Sequence, residues 1–278
     1  MDRGELRRQS YEAWEGMAAG WERARPRIEE SAGPVREWLV LELDPSPGDT
    51  VLELAAGPGE TGFEVARRLG DGRLISSDRS PAMVDVARRR AAELGLGNVE
   101  HRVLDAEELD LSDDSVDGVI CRFGYMLMAD PARALAETRR VLRPGGRLVF
   151  AAWREGERNP WVATAGRMFV ARGLVPPPEP GAPGMFAMAS DERIRQLLAG
   201  AGFTPRRIED IPVRFVSESL DDYIAGARET GGLFATVWNE ASEELRREMA
   251  AELAEAFAPY AVDRGYELPG VAVGVAAE

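Results

Sequence analysis

The chain has 278 residues, 45% of them hydrophobic, and carries 34 Lys plus Arg against 48 Asp plus Glu, a formal net charge of −14. That length buries a full core without staples, and a single cysteine, Cys121, excludes an internal disulfide framework. The acidic balance repels a nucleic-acid backbone on average, and no apolar run approaches the roughly 18 residues of a membrane span.

The opening Met1-Asp2-Arg3-Gly4-Glu5 lacks the apolar stretch of a secretory signal, so a cytoplasmic protein is expected. From about Glu5 to Leu43 the spacing is helical and includes Tyr11, Trp14, Trp21 and Trp38, until Asp44-Pro45-Ser46-Pro47-Gly48-Asp49 breaks it. This predicts a helical N-terminal cap. From Thr50 short apolar runs alternate with helical segments: strand 50–55, helix 61–69, strand 73–77, helix 81–94, strand 98–103, strand 117–122, helix 131–142 and strand 146–153. Such alternation implies right-handed crossovers and a parallel sheet covered on both faces. In the helix 131–142, Ala134, Leu135, Thr138, Val141 and Leu142 share one stripe, and Arg143-Pro144-Gly145-Gly146 stops it. The triplet Arg88-Arg89-Arg90 reads as the solvated basic face of helix 81–94.

After Trp153 the alternation fails. Pro176, Pro177, Pro178, Pro180 and Pro183, with Gly181 and Gly184, forbid regular structure from about 175 to 184. A helix at 190–201, a strand at 203–215, a helical stretch from Leu220 to Phe257 and an apolar strand from Leu268 to Ala276 follow. No internal repeat is present.

The most informative stretch is Val51-Leu52-Glu53-Leu54-Ala55-Ala56-Gly57-Pro58-Gly59-Glu60-Thr61-Gly62, an apolar strand entering a glycine-rich turn. Glycines at 57 and 59 permit a sharp turn and let a ligand approach bare backbone, with the amide end of the next helix aimed at it. Asp78 ends a second apolar run about 20 residues on, where an acid would bind ribose hydroxyls. To this point a nicotinamide-dependent dehydrogenase remains open.

Four motifs in order resemble those of class I S-adenosylmethionine-dependent methyltransferases: Glu53-Leu54-Ala55-Ala56-Gly57-Pro58-Gly59; Asp78 followed by Ser80-Pro81-Ala82-Met83; Asp105-Ala106-Glu107; and Leu142-Arg143-Pro144-Gly145-Gly146. The branch is similar to ubiquinone and menaquinone biosynthesis methyltransferases, over about residues 10 to 153. The resemblance implies a Rossmann-like α/β fold with a mostly parallel seven-stranded sheet flanked by helices and a helical cap. The expected divisions are an N-terminal helical cap 1–45, a cofactor core 46–155, a loop or lid 156–190, completion of the sheet by 191–216 and 263–278, and a helical cap insertion 217–262.

The resemblance also implies S-adenosyl-L-methionine as cofactor, a small-molecule methyl acceptor, and a set of roles. Backbone from Ala55 and Ala56 through Gly57 to Gly59 faces the methionine portion, and Glu53 either accepts from the ligand ammonium or caps neighbouring amides. Asp78, with Arg79 beside it, accepts the ribose hydroxyls or caps the helix beginning near Pro81. Met83 packs on the adenine or in the core. Asp105 and the Ala106 amide read the adenine edge, Glu107 joins the cofactor set although the acids at 107, 108, 110, 113 and 114 also read as a solvated loop, and backbone at Arg122 and Phe123 lies by the sulfonium. Tyr11, Trp14 and Trp21 close over the cofactor or pack on the sheet. Tyr125, Met126, Met128 and Trp153 face substrate or pack in the core.

His101 lies within a strand away from its carboxyl edge and Cys121 inside another, so both read as packing residues. Tyr11, Tyr125, Tyr223, Asp221 and Asp222 are unranked candidates for deprotonating an acceptor, and no catalytic base is assigned. No His/Cys cluster has metal-ligand spacing. The expected function is methyl transfer to oxygen, nitrogen or carbon of a small molecule; the alternatives are an NAD(P)-dependent oxidoreductase or a non-catalytic S-adenosylmethionine-binding module.

Overall fold

The computed structural model describes residues 3–179 and 181–278; Met1 and Asp2 of the opening segment and Pro180 of the proline run lie outside the described residues. Seven strands form one sheet: β1 (Thr50–Glu53), β2 (Arg73–Asp78), β3 (Val99–Val103), β4 (Val116–Arg122), β5 (Leu142–Trp153), β6 (Pro205–Ser217) and β7 (Tyr266–Ala277). Their order is β3-β2-β1-β4-β5-β7-β6, with β1 to β5 parallel and β7 antiparallel to both β5 and β6. The chain moves outward from β1 through β2 to β3, then returns to lay β4 on the other side of β1. A crevice opens at the carboxyl ends of strands at such a reversal.

Nine helices among the described residues clothe the sheet: α1 (Arg3–Leu43), α2 (Glu60–Ala66), α3 (Pro81–Glu93), α4 (Pro131–Val141), α5 (Pro160–Ala171), α6 (Asp191–Gly200), α7 (Leu220–Glu229), α8 (Gly232–Glu240) and α9 (Glu243–Phe257). Their starts follow local chemistry. The Ser80 hydroxyl accepts from the Met83 amide with Pro81 in the first turn of α3, and Asp130 does the same for Arg133 ahead of Pro131 in α4. The segment 156–190, expected as loop or lid, holds α5: Pro160, which fits a first helical turn, starts a helix that buries Ala163, Ala165, Met168 and Phe169. Arg143–Gly146, expected to stop a helix, are taken into β5.

The two halves of α1 are held differently. In its C-terminal half Ala32, Val35, Leu39 and Leu43, at helical spacing, are buried against β4, β5, β6 and β7. Its N-terminal half runs past α2 and α3 and, among the described residues, buries just the small residues Ala18, Gly20 and Ala24. Pro26 lies between the halves and leaves one helical carbonyl without its amide donor. A second core joins α5, α7, α8 and α9 through Phe169, Tyr223, Trp238, Met249, Leu253 and Phe257.

The closeness of α1 to the sheet is set at Gly274 of β7, where a Cβ would stand 2.6 Å from the Trp38 ring and 2.8 Å from Ile211. Gly274→Ala is expected to destabilise the protein by about 1–3 kcal/mol in urea unfolding, as overpacking does. Gly166→Ala, in α5 with nothing within 4 Å of the new methyl, should stabilise by up to about 1 kcal/mol. Equal effects of the two would refute this account of the α1–sheet packing.

Candidate functional site

The reversal between β1 and β4 concentrates unusual backbone. Just beyond β1, Ala55 has φ 51°, and just beyond β4, Phe123 has φ 64°. A non-glycine residue in this region costs on the order of 1–3 kcal/mol and persists only where its surroundings enforce it. At Phe123 they do: its amide donates to the Ala151 carbonyl at 2.9 Å and its ring stacks on Trp153, 4.2 Å between centroids. The next residue must be small, because a Cβ on Gly124 would lie 2.6 Å from the Cys121 sulfur and 2.7 Å from the Ala55 methyl. Gly57 (φ 54°) and Gly59 (φ 90°) complete the turn after β1, and a Cβ on Gly57 would point into open space.

Four carboxyl groups organise this edge. Glu53, 2% exposed, accepts from the Gly62 amide at 2.8 Å and the Ser76 hydroxyl at 3.3 Å, which ties β1 to β2 and to the start of α2. Burial pushes its carboxyl up to about 8, against the opposing pull of the Gly62 amide and the Arg122 charge. Asp78 accepts from the Gly57 amide and the Ser80 amide, each at 2.9 Å, so the end of β2 grips the glycine turn; burial raises its carboxyl above the ordinary range. Asp105 accepts from the Glu107 amide at 2.9 Å and pairs with Arg7 at 2.5 Å and Arg79 at 3.2 Å. Glu107 is buried and accepts from the Ala129 amide at 2.9 Å, while Ala106 between the two acids is half-buried. A cleft of about 420 Å³ opens beside this group, lined by Arg7, Asp105, Glu108, Leu109 and Asp110.

The N-terminal half of α1 lies across the same edge. Glu15 accepts from the Ser80 hydroxyl at 2.6 Å and the Ala82 amide at 3.1 Å. Arg25 pairs with Glu60 at 2.9 Å, and farther along, Glu29 pairs with Arg122 at 2.7 Å. Tyr11 lies under the Arg79 guanidinium, 5.7 Å from its ring centroid. Trp14 and Trp21 meet edge to face at 5.3 Å and pack with Ala18, Met83 and Val86. Trp21 also donates to the Thr230 carbonyl at 3.0 Å, and Arg27 pairs with Asp222, so α1 is bound on its other side to α7. The sequence motifs did not indicate Arg7, Glu15, Arg25 or Glu29, because charged residues on a helix have no signature until the path of the helix is known.

The residues read as facing substrate are spread out. Tyr125 is fully buried, its hydroxyl 2.6 Å from that of Thr138 and its ring against Phe150; burial raises its phenol well above the ordinary range. Met126 is buried, its carbonyl accepting from the Gly184 amide at 2.9 Å, and Met128 is half-buried against the main core. Trp153 belongs to a ladder of rings that begins at Phe123 and continues through Trp161 to Phe215, the last two stacked 3.8 Å apart. Burial pushes the Cys121 thiol up to about 12. His101 packs edge-on against Phe63 at 6.4 Å. No cluster of three or more potential metal-ligating side chains occurs among the described residues.

Residues 51–146 match the family model described as a methyltransferase domain. The ubiquinone/menaquinone biosynthesis C-methyltransferase UbiE of Teredinibacter turnerae is 37% identical over 124 residues, 43% of this chain and 50% of that protein. Methyltransferase ucsB of Acremonium is 31% identical over 188 residues, 63% of this chain and 62% of that protein. The chain spans about half the length of the curated relatives it matches. In fold it is similar to a solved structure from Bacillus halodurans C-125, with a TM-score of 0.62 and 19% identity over 87% of this chain and 97% of that one.

The buried carboxyl of Glu53 gives a testable pH dependence. A carboxyl held higher in the folded than in the unfolded chain binds its proton more tightly when folded, so its contribution is complete below the unfolded value and is lost as pH rises towards about 8. Glu53→Gln keeps the shape and removes the titration. Relative to Glu53→Gln, the wild-type protein should lose stability between about pH 4.5 and 8, by at most about 1.4 kcal/mol per pH unit. A pH-independent difference between the two in chemical unfolding would refute the assignment.

Proposed function

We propose that residues 51–146, which match a methyltransferase domain, act as a class I S-adenosylmethionine-dependent methyltransferase domain, and that the protein transfers the methyl group of S-adenosylmethionine to a small, partly apolar acceptor at oxygen, nitrogen or carbon. The observation that carries this reading is the convergence of the Gly57–Gly59 turn, Asp78, Asp105 and the Arg122–Phe123 strand end on one edge of the sheet. Residues at this edge fit the cofactor. The space where a Gly57 side chain would stand is open. A carboxylate offers about four lone-pair sites, so Asp78 keeps acceptor capacity beyond its backbone amides. Asp105 borders an open cleft, and its Oδ2 is paired with the side chains of Arg7 and Arg79.

Bound there, S-adenosylmethionine supplies a methyl group already activated by a positively charged sulfur. The protein's own task is to bind, orient and exclude water. Asp78 would hold the ribose hydroxyls and Asp105 with the Ala106 amide the adenine edge, for which Arg7 and Arg79 must yield the Asp105 oxygen. Backbone from Ala55 to Gly59 and at Arg122 and Phe123 would flank the methionine portion. Glu53, committed to Gly62 and Ser76, acts as the clamp that fixes the turn. The N-terminal half of α1, with Tyr11, Trp14 and Trp21, shields the edge from solvent.

No side chain is assigned as a base. The Tyr125 hydroxyl is turned to Thr138, the Tyr223 hydroxyl donates to the Trp161 carbonyl at 2.8 Å, and Asp222 is paired with Arg27. Three of the five candidates are thus engaged elsewhere, Tyr11 and Asp221 stay unranked, and the reading relies on catalysis by positioning. The apolar character of the acceptor is supported by the aromatic ladder that starts at Phe123, just beyond the end of β4. The N-terminal helices and the 154–262 region would form the acceptor chamber. A small-molecule acceptor rather than nucleic acid is supported by the net charge of −14. No helix among the described residues is long and apolar enough to cross a membrane, and a cytoplasmic setting is part of the proposal.

Calorimetric titration tests the reading. The wild-type protein should bind S-adenosylmethionine and S-adenosylhomocysteine but not NADH, and Asp78→Asn and Asp105→Asn should each weaken binding roughly tenfold or more. Unchanged affinity in both variants, or NADH binding, would overturn it.

A further inference from the structure

Both sides of the first half of α1 are in use. Toward the sheet edge it presents Tyr11, Glu15, Ala18, Glu22, Arg25 and Glu29, three or four residues apart and so on one face. Their partners run along the edge from Arg79 and Ser80 through Met83 and Arg89 to Glu60 and Arg122. The opposite face carries Met17, Gly20, Ala24 and Arg27 at the same spacing. This second face lies antiparallel along α7. Arg27 reaches the first turn of α7, where its Nη1 donates to the Asp222 carbonyl at 3.1 Å and its Nη2 pairs with the Asp222 carboxylate. Gly20 meets the last turn of α7, and Met17 occupies the space of a Gly231 side chain, its Cγ 2.6 Å from where the Cβ would stand.

At two points the helices approach more closely than side chains permit. A Cβ on Gly20 would run into the Glu229 carbonyl oxygen, and a Cβ on Gly226 into the Arg27 guanidinium. Glu229 is the last residue of α7, and the final carbonyls of a helix have no amide partner within it. Here they are turned onto α1. The Glu229 carbonyl abuts Gly20, the Thr230 carbonyl accepts from the Trp21 indole at 3.0 Å, and the Glu229 carboxylate pairs with Arg23 at 2.8 Å. On its far side α7 is seated in the second core, with Tyr223 edge-on to Phe257 at 4.9 Å and Ile224 buried. The first half of α1 is thus wedged between two bodies, and at its base the exposed Pro26 leaves the helix one hydrogen bond short, where helices bend.

We propose that this half of α1 is a strut that links α7 to the cofactor edge, seated by the contact of Gly20 with the end of α7, so that α7 and bound cofactor stabilise one another through it. This rests on the S-adenosylmethionine reading and adds to it a coupling between the edge and the helical cap. Gly20 is a positioning residue. It fixes how near α1 stands to α7, and thereby where Tyr11 and Glu15 on the other face meet Arg79 and Ser80. Such a link is reciprocal: a placement of α1 on α7 that tightens cofactor binding is itself tightened by the cofactor.

Gly20→Ala and Gly16→Ala provide the test. Each adds one methyl to α1 and raises helix propensity by the same amount. At Gly16 the methyl has nothing within 4 Å, whereas at Gly20 it drives α1 and α7 apart. In calorimetry S-adenosylhomocysteine should bind Gly16→Ala as it binds the wild-type protein, and Gly20→Ala roughly fivefold or more weakly. In hydrogen exchange the same ligand should slow the amides of Leu220–Glu229 by roughly fivefold or more in the wild-type protein and in Gly16→Ala, and should not do so in Gly20→Ala. Exchange in β4 and β5 of the three free proteins should be alike, which a general loss of stability would not leave so. Should Gly20→Ala fail to fold, Arg27→Met, which releases Asp222 without a wedge, takes its place. The proposal is overturned if the altered protein binds S-adenosylhomocysteine as Gly16→Ala does, if the ligand leaves α7 unchanged in the wild-type protein, or if β4 and β5 exchange faster in step with the lost affinity. If the wild-type protein binds no S-adenosylhomocysteine, the cofactor reading has failed and the strut falls with it.

Discussion

The adjacency of β1 and β4 is the constraint from which the rest of the edge follows. Placing β4 beside β1, after β2 and β3 have been laid on the other side, leaves two strand ends with no crossover helix between them. Both chains turn sharply there, and Ala55 and Phe123 take up left-handed backbone within contact range of one another's neighbours. Neither conformation is favourable alone. They are held by the Phe123 amide on β5, the ring stack on Trp153 and the grip of Asp78 on the glycine turn. The reversal itself is a property of topology, but the left-handed turns at it depend on these local clamps.

The same edge explains why α1 is built as two unlike halves. Residues after Pro26 bury Val35, Leu39, Val40 and Leu43, each worth roughly 1.5–3 kcal/mol of transfer free energy. Residues before it are held by ion pairs such as Arg7–Asp105 and Arg25–Glu60 and by the small cluster around Trp14, Trp21 and Met83. Solvent-accessible ion pairs contribute about 0–1 kcal/mol each. Releasing the first half of the helix is therefore much cheaper than releasing the second. Glu29 lies on the anchored side of Pro26 and Arg7 on the lightly held side, so the contact with Arg122 can persist while Asp105 is uncovered.

How far the site could be read from the sequence depended on whether a residue's role is set by its own neighbours in the chain. The strands from Val51 to Trp153 and the glycine turn were legible because apolar period and turn residues are local signals. The helix α5 was not, since the segment was read with the proline run that follows it, and Pro160 as a first-turn residue went unused. The fourth strand's end was visible, but not that Tyr125 turns back to Thr138 or that Phe123 faces Trp153; a left-handed residue reverses the alternation on which such a reading rests. The arginines and glutamates of α1 were least legible. With 29% charged residues in the chain, any helix offers several, and only the docked path selects Arg7, Glu15 and Glu29.

The disposition of titratable groups at the edge also limits the kind of acceptor that such a site can serve. The Glu53 carboxyl is committed to Gly62 and Ser76, the Cys121 thiol is buried and raised to about 12, and the Tyr125 phenol is buried against Thr138. A general base needs both reach to the proton and a value near the working pH. Glu53 has the second without the first, since its two oxygens face the sheet and the start of α2. Deprotonation by the protein is thus poorly provided for, whereas exclusion of water and fixed orientation are well provided for by α1 and the strained turns. On the proposed reading, the acceptor would bring its own nucleophilicity, as an amine, an enolisable carbon or an acidic hydroxyl does, and would rely on the protein for placement. The rings from Phe123 to Phe215 pack on one another and so brace the end of β4 against β5 and β6 by apolar contact.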